Sequence, residues 1–308
     1  MRTLVLGAGA TGGYFGSRLV EAGQDVQFLV RPPRAAQLAG DGLRVHSASG
    51  SATIPVTLRT ALEADAGFDL VVLSCKARDL DSAIAAIAPA VGPATLVLPL
   101  LNGLRHLDVL DAAFGRERVL GGLCHISVVL EADGSIRRFG SLDRLQFGRR
   151  EGGMAIPAAV REGLLSMRVG VAENARILDA MWGKFAFIAA LAGSTCLFRG
   201  SVGEIAATPD GAALAGRLHG ECAEIARRSG HPLSAELVAE ALAALTAAGS
   251  PLKASMLRDL ERGAHTEAEH ILGDLLARAR AHDVDAPLLA AACTHLRVHE
   301  RALAAHPG

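Results

Sequence analysis

Gly7-Ala8-Gly9-Ala10-Thr11-Gly12 is the stretch that decides the fold of this chain. It follows Thr3-Leu4-Val5-Leu6, which reads as a buried strand, and it leads into residues 14–21, which read as a helix that Gly23 can end. In a strand–turn–helix each glycine has its own task. Gly7 permits the tight turn, Gly9 lets backbone approach a pyrophosphate, and Gly12 lets helix and strand pack closely. The helix start then offers free N–H groups and a positive dipole end to phosphates. A glycine-rich turn without this context would be weak evidence. With it, Gly7, Ala8, Gly9, Ala10, Thr11 and Gly12 are read as cofactor-binding residues.

Outward from the motif, strand and helix patterns alternate. Residues 26–30, 70–74 and 95–98 read as strands, and residues 79–87 as a helix. Alternation of this kind predicts an α/β, Rossmann-type domain with a mainly parallel sheet covered on both sides. Beyond residue 120 the strands shorten. Residues 125–130, 135–139, 144–147 and 169–172 read as strands and 158–165 as a helix, all extending the same domain. From about 175 the pattern is almost entirely helical. The expected organisation is a nucleotide-binding domain over 1–174, followed by an all-α substrate and dimerisation domain over 175–308.

The end of the second strand bears on which dinucleotide is bound. An NAD site usually places Asp or Glu there for the ribose hydroxyls. This chain has Val30-Arg31-Pro32-Pro33-Arg34, and Asp25 comes too early. Arg31 is read as a partner for a 2′-phosphate, with Arg34 assisting, and NADP is expected. The plain alternative for each is a solvated surface arginine. The glycines alone also fit FAD.

Bulk composition excludes several classes. The 308 residues are 50% hydrophobic and 20% charged, with a formal net charge of -1, so the chain is globular and lacks the basic excess of a nucleic-acid binder. Cys75, Cys124, Cys196, Cys222 and Cys293 show neither disulfide-scaffold nor zinc spacing. No metal site is expected; His265 and His270 are five apart, and His295 and His299 lack an intervening glutamate. The start shows no leader pattern, and apolar runs such as 96–101 are too short for a bilayer. A cytoplasmic protein with no membrane partner is expected.

Several residues invite chemistry. Lys76 and Asn102 stand just beyond strand ends, where parallel sheets bind ligands. Lys184, in Trp182-Gly183-Lys184, enters an apolar segment and needs a partner or a task, unless it snorkels from a helix end. Ser255 and Glu267 lie on broadly one side if a single helix carries both. On pattern alone, Glu261, Glu267 and Glu269 are equally good solvated carboxylates.

These pieces in order resemble the ketopantoate reductase (2-dehydropantoate 2-reductase) family over nearly the whole chain. The markers are the motif at 7–12, Arg31, Ser74-Cys75-Lys76-Ala77, Leu101-Asn102-Gly103, Arg118-Val119-Leu120-Gly121-Gly122, Trp182-Gly183-Lys184, Gly203-Glu204, Ser255-Met256 with Asp259, and Thr266-Glu267 with Gly273. The resemblance implies NADPH-dependent reduction of ketopantoate to pantoate, a step toward pantothenate. It implies Lys184 as general acid and Glu267 as its acidic partner. It also implies Ser255 as donor to the substrate carboxylate, and Asn102 and Lys76 between cofactor and substrate. A homodimer is expected from the same likeness.

One departure stands out. Where the family usually carries asparagines, this chain has Ile188, Ala192 and Val202. Either Ser194, Thr195 or Ser201 takes over, or the substrate is less polar than ketopantoate. The alternatives are therefore a dehydrogenase of the same fold acting on a less polar 2-keto or 2-hydroxy acid or an opine-like substrate, and a non-catalytic nucleotide sensor.

Overall fold

The computed structural model describes residues 1–48, 50–63 and 67–305. The chain divides into two compact units, one of Met1–Leu101 with His106–Ile177 and one of Asn102–Arg105 with Leu178–Gly308. The division after 177 lies three residues beyond the expected 174. Asn102, expected with the nucleotide-binding domain, belongs to the second unit.

The first unit opens with β1 (Arg2–Leu6), α1 (Ala10–Glu21), β2 (Asp25–Leu29) and α2 (Pro32–Asp41). It continues with β3 (Leu43–Ser47), β4 (Gly50–Ile54), β5 (Thr57–Arg59), β6 (Leu70–Leu73), α3 (Leu80–Ile87) and β7 (Leu96–Pro99). The last elements are α4 (Arg105–Phe114), β8 (Gly121–Leu130), β9 (Ile136–Gly148), α5 (Ala158–Leu165) and β10 (Gly170–Glu173). One sheet has the order β5-β2-β1-β6-β7 with every pairing parallel. Its inner strands are near-continuous apolar runs, as strands covered on both faces must be; all four residues of β6 are buried. The chain builds from β1 toward β2 and β5 on one side and β6 and β7 on the other. The carboxyl end of β1 is therefore the switch point where such sheets bind ligands.

A second sheet has the order β10-β9-β3-β4, with β8 antiparallel to β9. Two differences from the sequence reading lie here. The segments 135–139 and 144–147 are one strand, β9, which stays paired with β8 through a register shift at Ile126/Ser127. The hairpin of β3 and β4 was not expected; four of the five β4 residues are exposed, so no apolar alternation marks it.

The second unit is helical: α6 (Ile177–Phe198), α7 (Val202–Ala206), α8 (Gly211–Arg228), α9 (Ala235–Leu245), α10 (Ser255–Glu261), α11 (Asp274–Ala281) and α12 (Pro287–Ala305). A one-turn π segment, Glu269–Gly273, leads into α11. By length and composition α6 is apolar enough to cross a membrane, but 67% of that window is buried in the protein and it carries Lys184. It has the apolar-all-round character of a core helix.

Candidate active site

In the first unit, the glycine turn closes as its sequence requires. Gly7 takes φ +82, in the left-handed region, and its N–H donates to the Leu29 carbonyl at 2.8 Å. Gly12 sits where a Cβ would come within 2.2 Å of Ser74 Oγ and 3.1 Å of the Gly7 carbonyl oxygen. Gly9 differs: a Cβ there would meet no protein atom within 4 Å. Gly9 is also the N-cap of α1, without a capping side chain, and the first turn of α1 holds no acidic residue. A phosphate approaching this turn meets helix N–H groups and backbone rather than side chains, so the turn fits a dinucleotide pyrophosphate.

Arg31 caps α2 just past β2, where Pro32 and Pro33 fix the first helical positions. Its side chain is 82% exposed and 3.8 Å from Asp79, an ion pair too open to hold it firmly. Arg34 is committed elsewhere. It donates to the Ala8 carbonyl at 2.9 Å and to Gln37 at 2.6 Å, so it braces the glycine turn. Burial, with Arg44 nearby, lowers its pKa. Lys76 is exposed, immediately beyond β6.

In the second unit, Lys184 lies well inside α6 rather than at a helix end, and is half-buried. Its Nζ donates to Asn102 Oδ1 at 2.8 Å. The Asn102 carbonyl in turn accepts from His270 Nε2 at 2.9 Å. His270 is 8% exposed, and burial lowers its pKa against the opposing pull of Glu267. A neutral ring protonated on Nε2 is the tautomer that a carbonyl acceptor demands. In the sequence His270 suggests only a metal ligand, and nothing local marks this contact, because its partner is 168 residues away.

Glu267 and Ser255 do not share a helix. α10 stops at Glu261, and Glu267 follows after a stretch without regular secondary structure, so the continuous helix considered for this pair is absent. The turn at Arg262-Gly263, with Gly263 at φ +65, makes the break. Glu267 is half-buried, and its carbonyl accepts from the N–H groups of His270 and Ile271. Its segment is pinned from α12: Glu300 accepts from the Thr266 N–H and hydroxyl, each at 2.7 Å, and pairs with His265 Nδ1 at 2.8 Å. The π segment is pinned likewise, by Arg297 Nη2 donating to Glu269 at 2.9 Å. Of the interchangeable carboxylates, Glu269 and Glu261 are thus engaged, with Arg297 and Lys253. Ser255 opens α10 and is exposed.

The apolar departures occupy defined places. Ile188 lies one turn beyond Lys184 and is half-buried, while Ala192 and Val202 are buried. Thr195 donates to the Leu191 carbonyl, and Ser201 forms a capping box with Glu204 at the start of α7. Ser194 is 2% exposed, with its hydroxyl unpartnered.

Residues 3–152 match the family described as ketopantoate reductase PanE/ApbA, and residues 176–300 match its C-terminal counterpart. An uncharacterized oxidoreductase, YkpB of Bacillus subtilis (strain 168), is 38% identical over 97% of this chain and 99% of its own length. A 2-dehydropantoate 2-reductase structure from Methylococcus capsulatus superposes with a TM-score of 0.87 at 26% identity, covering 97% of both chains. A D-mandelate dehydrogenase with NADH and anilino(oxo)acetate gives a TM-score of 0.84 at 20% identity, covering 98% of this chain and 99% of that one, a likeness of fold.

Proposed function

The chain belongs to the ketopantoate reductase family of oxidoreductases, and from that premise we propose that it reduces a small 2-keto acid with NADPH, ketopantoate to pantoate being the leading reaction. Pantoate formation would place it on the way to pantothenate. The observation that carries this reading is the Lys184 ammonium, set in an apolar core helix and aimed by Asn102 Oδ1 at 2.8 Å.

The glycine turn at Gly7–Gly12 binds the pyrophosphate, and Arg31 takes the 2′-phosphate, for which its exposed guanidinium is free to turn from Asp79. The nicotinamide cofactor, when bound, supplies the hydride that reaches the keto carbon. The residues of this chain handle the proton and the charge. Lys184 donates a proton from Nζ to the keto oxygen as negative charge grows there, and is reprotonated from solvent. Glu267 engages the substrate's hydroxyl, and Ser255 donates to its carboxylate.

A second reading has one observation behind it. Ile188, half-buried and one turn from the proton donor, offers a hydroxyl-bearing substrate no hydrogen bond, and Thr195 and Ser201 spend their hydroxyls on backbone and cap. A less polar 2-keto acid would suit that surface better. NADPH oxidation with a panel of 2-keto acids, beside the Lys184→Met variant, tests both readings. Turnover on ketopantoate that falls about 10²- to 10⁴-fold in Lys184→Met supports the first. Activity confined to apolar keto acids supports the second, and activity untouched by Lys184→Met refutes the mechanism.

A further inference from the structure

Asn102 is held from two sides. Its side-chain oxygen receives Lys184 Nζ, and its main-chain oxygen receives His270 Nε2. Gly103, at φ +81, turns the chain tightly over His270; a Cβ there would lie 3.3 Å from the His270 carbonyl oxygen and 3.4 Å from its ring. His270 is itself fixed within the π segment, whose first residue, Glu269, is tied to Arg297. Widened turns of this kind recur at functional sites because they redirect one side chain without ending the helix. A lysine ammonium on a flexible four-carbon stem has no direction of its own, so its aim follows its acceptor. That acceptor is a side chain on a short segment, Asn102–Arg105, anchored at its first residue by the imidazole.

We propose that His270 is a positioning residue for Lys184, acting through Asn102; this rests on the reading of Lys184 as the proton donor. Neutral imidazole performs the task. Burial keeps it neutral although Glu267, the hydrogen bond to the Asn102 carbonyl and Asp274 favour the imidazolium, and Arg105 opposes that form.

The test reads Lys184 directly. Lys76, Lys184 and Lys253 are the lysines of the chain, and exposed Lys76 serves as internal reference. Competitive acylation of the cofactor-free protein, followed by mass spectrometry, gives the Lys184/Lys76 labelling ratio. The ratio should rise about threefold or more in His270→Phe and in Asn102→Ala, with no further rise in the double variant. His270→Gln, which keeps an N–H of similar reach, should restore the native ratio. A native ratio in His270→Phe beside a raised one in Asn102→Ala overturns the proposal. Where Phe disturbs the fold and all lysines label together, His270→Asn, too short to reach, decides against His270→Gln; equal ratios in that pair overturn it too. In turnover, His270→Phe should lower kcat while KM for the nucleotide holds. If the native protein reduces no 2-keto acid, the proton-donor reading falls, and the labelling ratios still decide the role of His270.

Discussion

Replacing Gly12 with alanine puts a methyl carbon about 2.2 Å from Ser74 Oγ and 3.1 Å from the Gly7 carbonyl oxygen. A carbon and an oxygen rest at about 3.3 Å or more, so helix α1 and the end of β6 must part by roughly 1 Å, or Ser74 must swing away. Overpacking of this size costs about 1–3 kcal/mol. For a unit of this length that lowers Tm by about 2–12 °C. The same displacement widens the glycine turn, so nucleotide affinity should weaken about tenfold or more. Thermal unfolding without nucleotide and a fluorescence titration with NADPH measure the two effects. Because the closest atom is a serine oxygen, the double variant Gly12→Ala/Ser74→Ala should recover most of the lost stability, leaving the tight contact with the Gly7 carbonyl oxygen and an ordinary one, at 3.4 Å, with the Cβ of residue 74. Ser74→Ala alone closes the cycle. Unchanged Tm and affinity in Gly12→Ala would refute the packing argument. A double variant no better than the single would place the strain elsewhere than Ser74.

Three further outcomes are expected. Arg31→Ala should raise KM for NADPH about tenfold and leave NADH nearly untouched; an equal effect on both would show that Arg31 does not read the 2′-phosphate. Glu300→Gln should loosen the segment carrying Glu267, lowering kcat and Tm together. Burial pushes the Glu300 carboxyl up, but hydrogen bonds from His265 and Thr266 outweigh it and hold it below its ordinary 4.5. Its stabilisation is then fully present above pH 4.5 and fades as the pH falls through the depressed value, so the Tm gap between native protein and Glu300→Gln should close in acid. A gap constant from pH 7 to pH 3 would deny the carboxylate that role.

What was legible in the sequence follows from range of interaction. The glycine turn, four of the five strands of the parallel sheet and the helix Ala158–Leu165 are set by neighbours in sequence, and they stand within a residue or two of their expected places, while the three-residue β5 is too short to show a pattern. Helix α1 begins four residues earlier than its apolar pattern, because the glycines that lead it pack tightly and contribute no hydrophobic signal. The β3–β4 hairpin escaped notice because its outer strand faces solvent. Lys184 and Asn102 each stand out, one as a charge in an apolar run and one at a strand end, but their pairing does not, since Asn102 lies 82 residues upstream. His270 gave no local sign of its contact. The clamp by Glu300 was equally silent, being closed by a residue 34 positions later.

The short segment Asn102–Arg105 has a consequence for protein engineering. The chain runs from the first unit into the second at Leu101/Asn102, back at Arg105/His106, and over again after Ile177. The second unit is therefore stitched from two separate stretches of the gene. A chimera joined only at 177, pairing this helical half with the first unit of a relative, would take residues 102–105 opposite Lys184 and His270 from that relative. Recombination that keeps the second unit intact must transplant residues 102–105 along with 178–305, so the two units cannot be exchanged at a single junction.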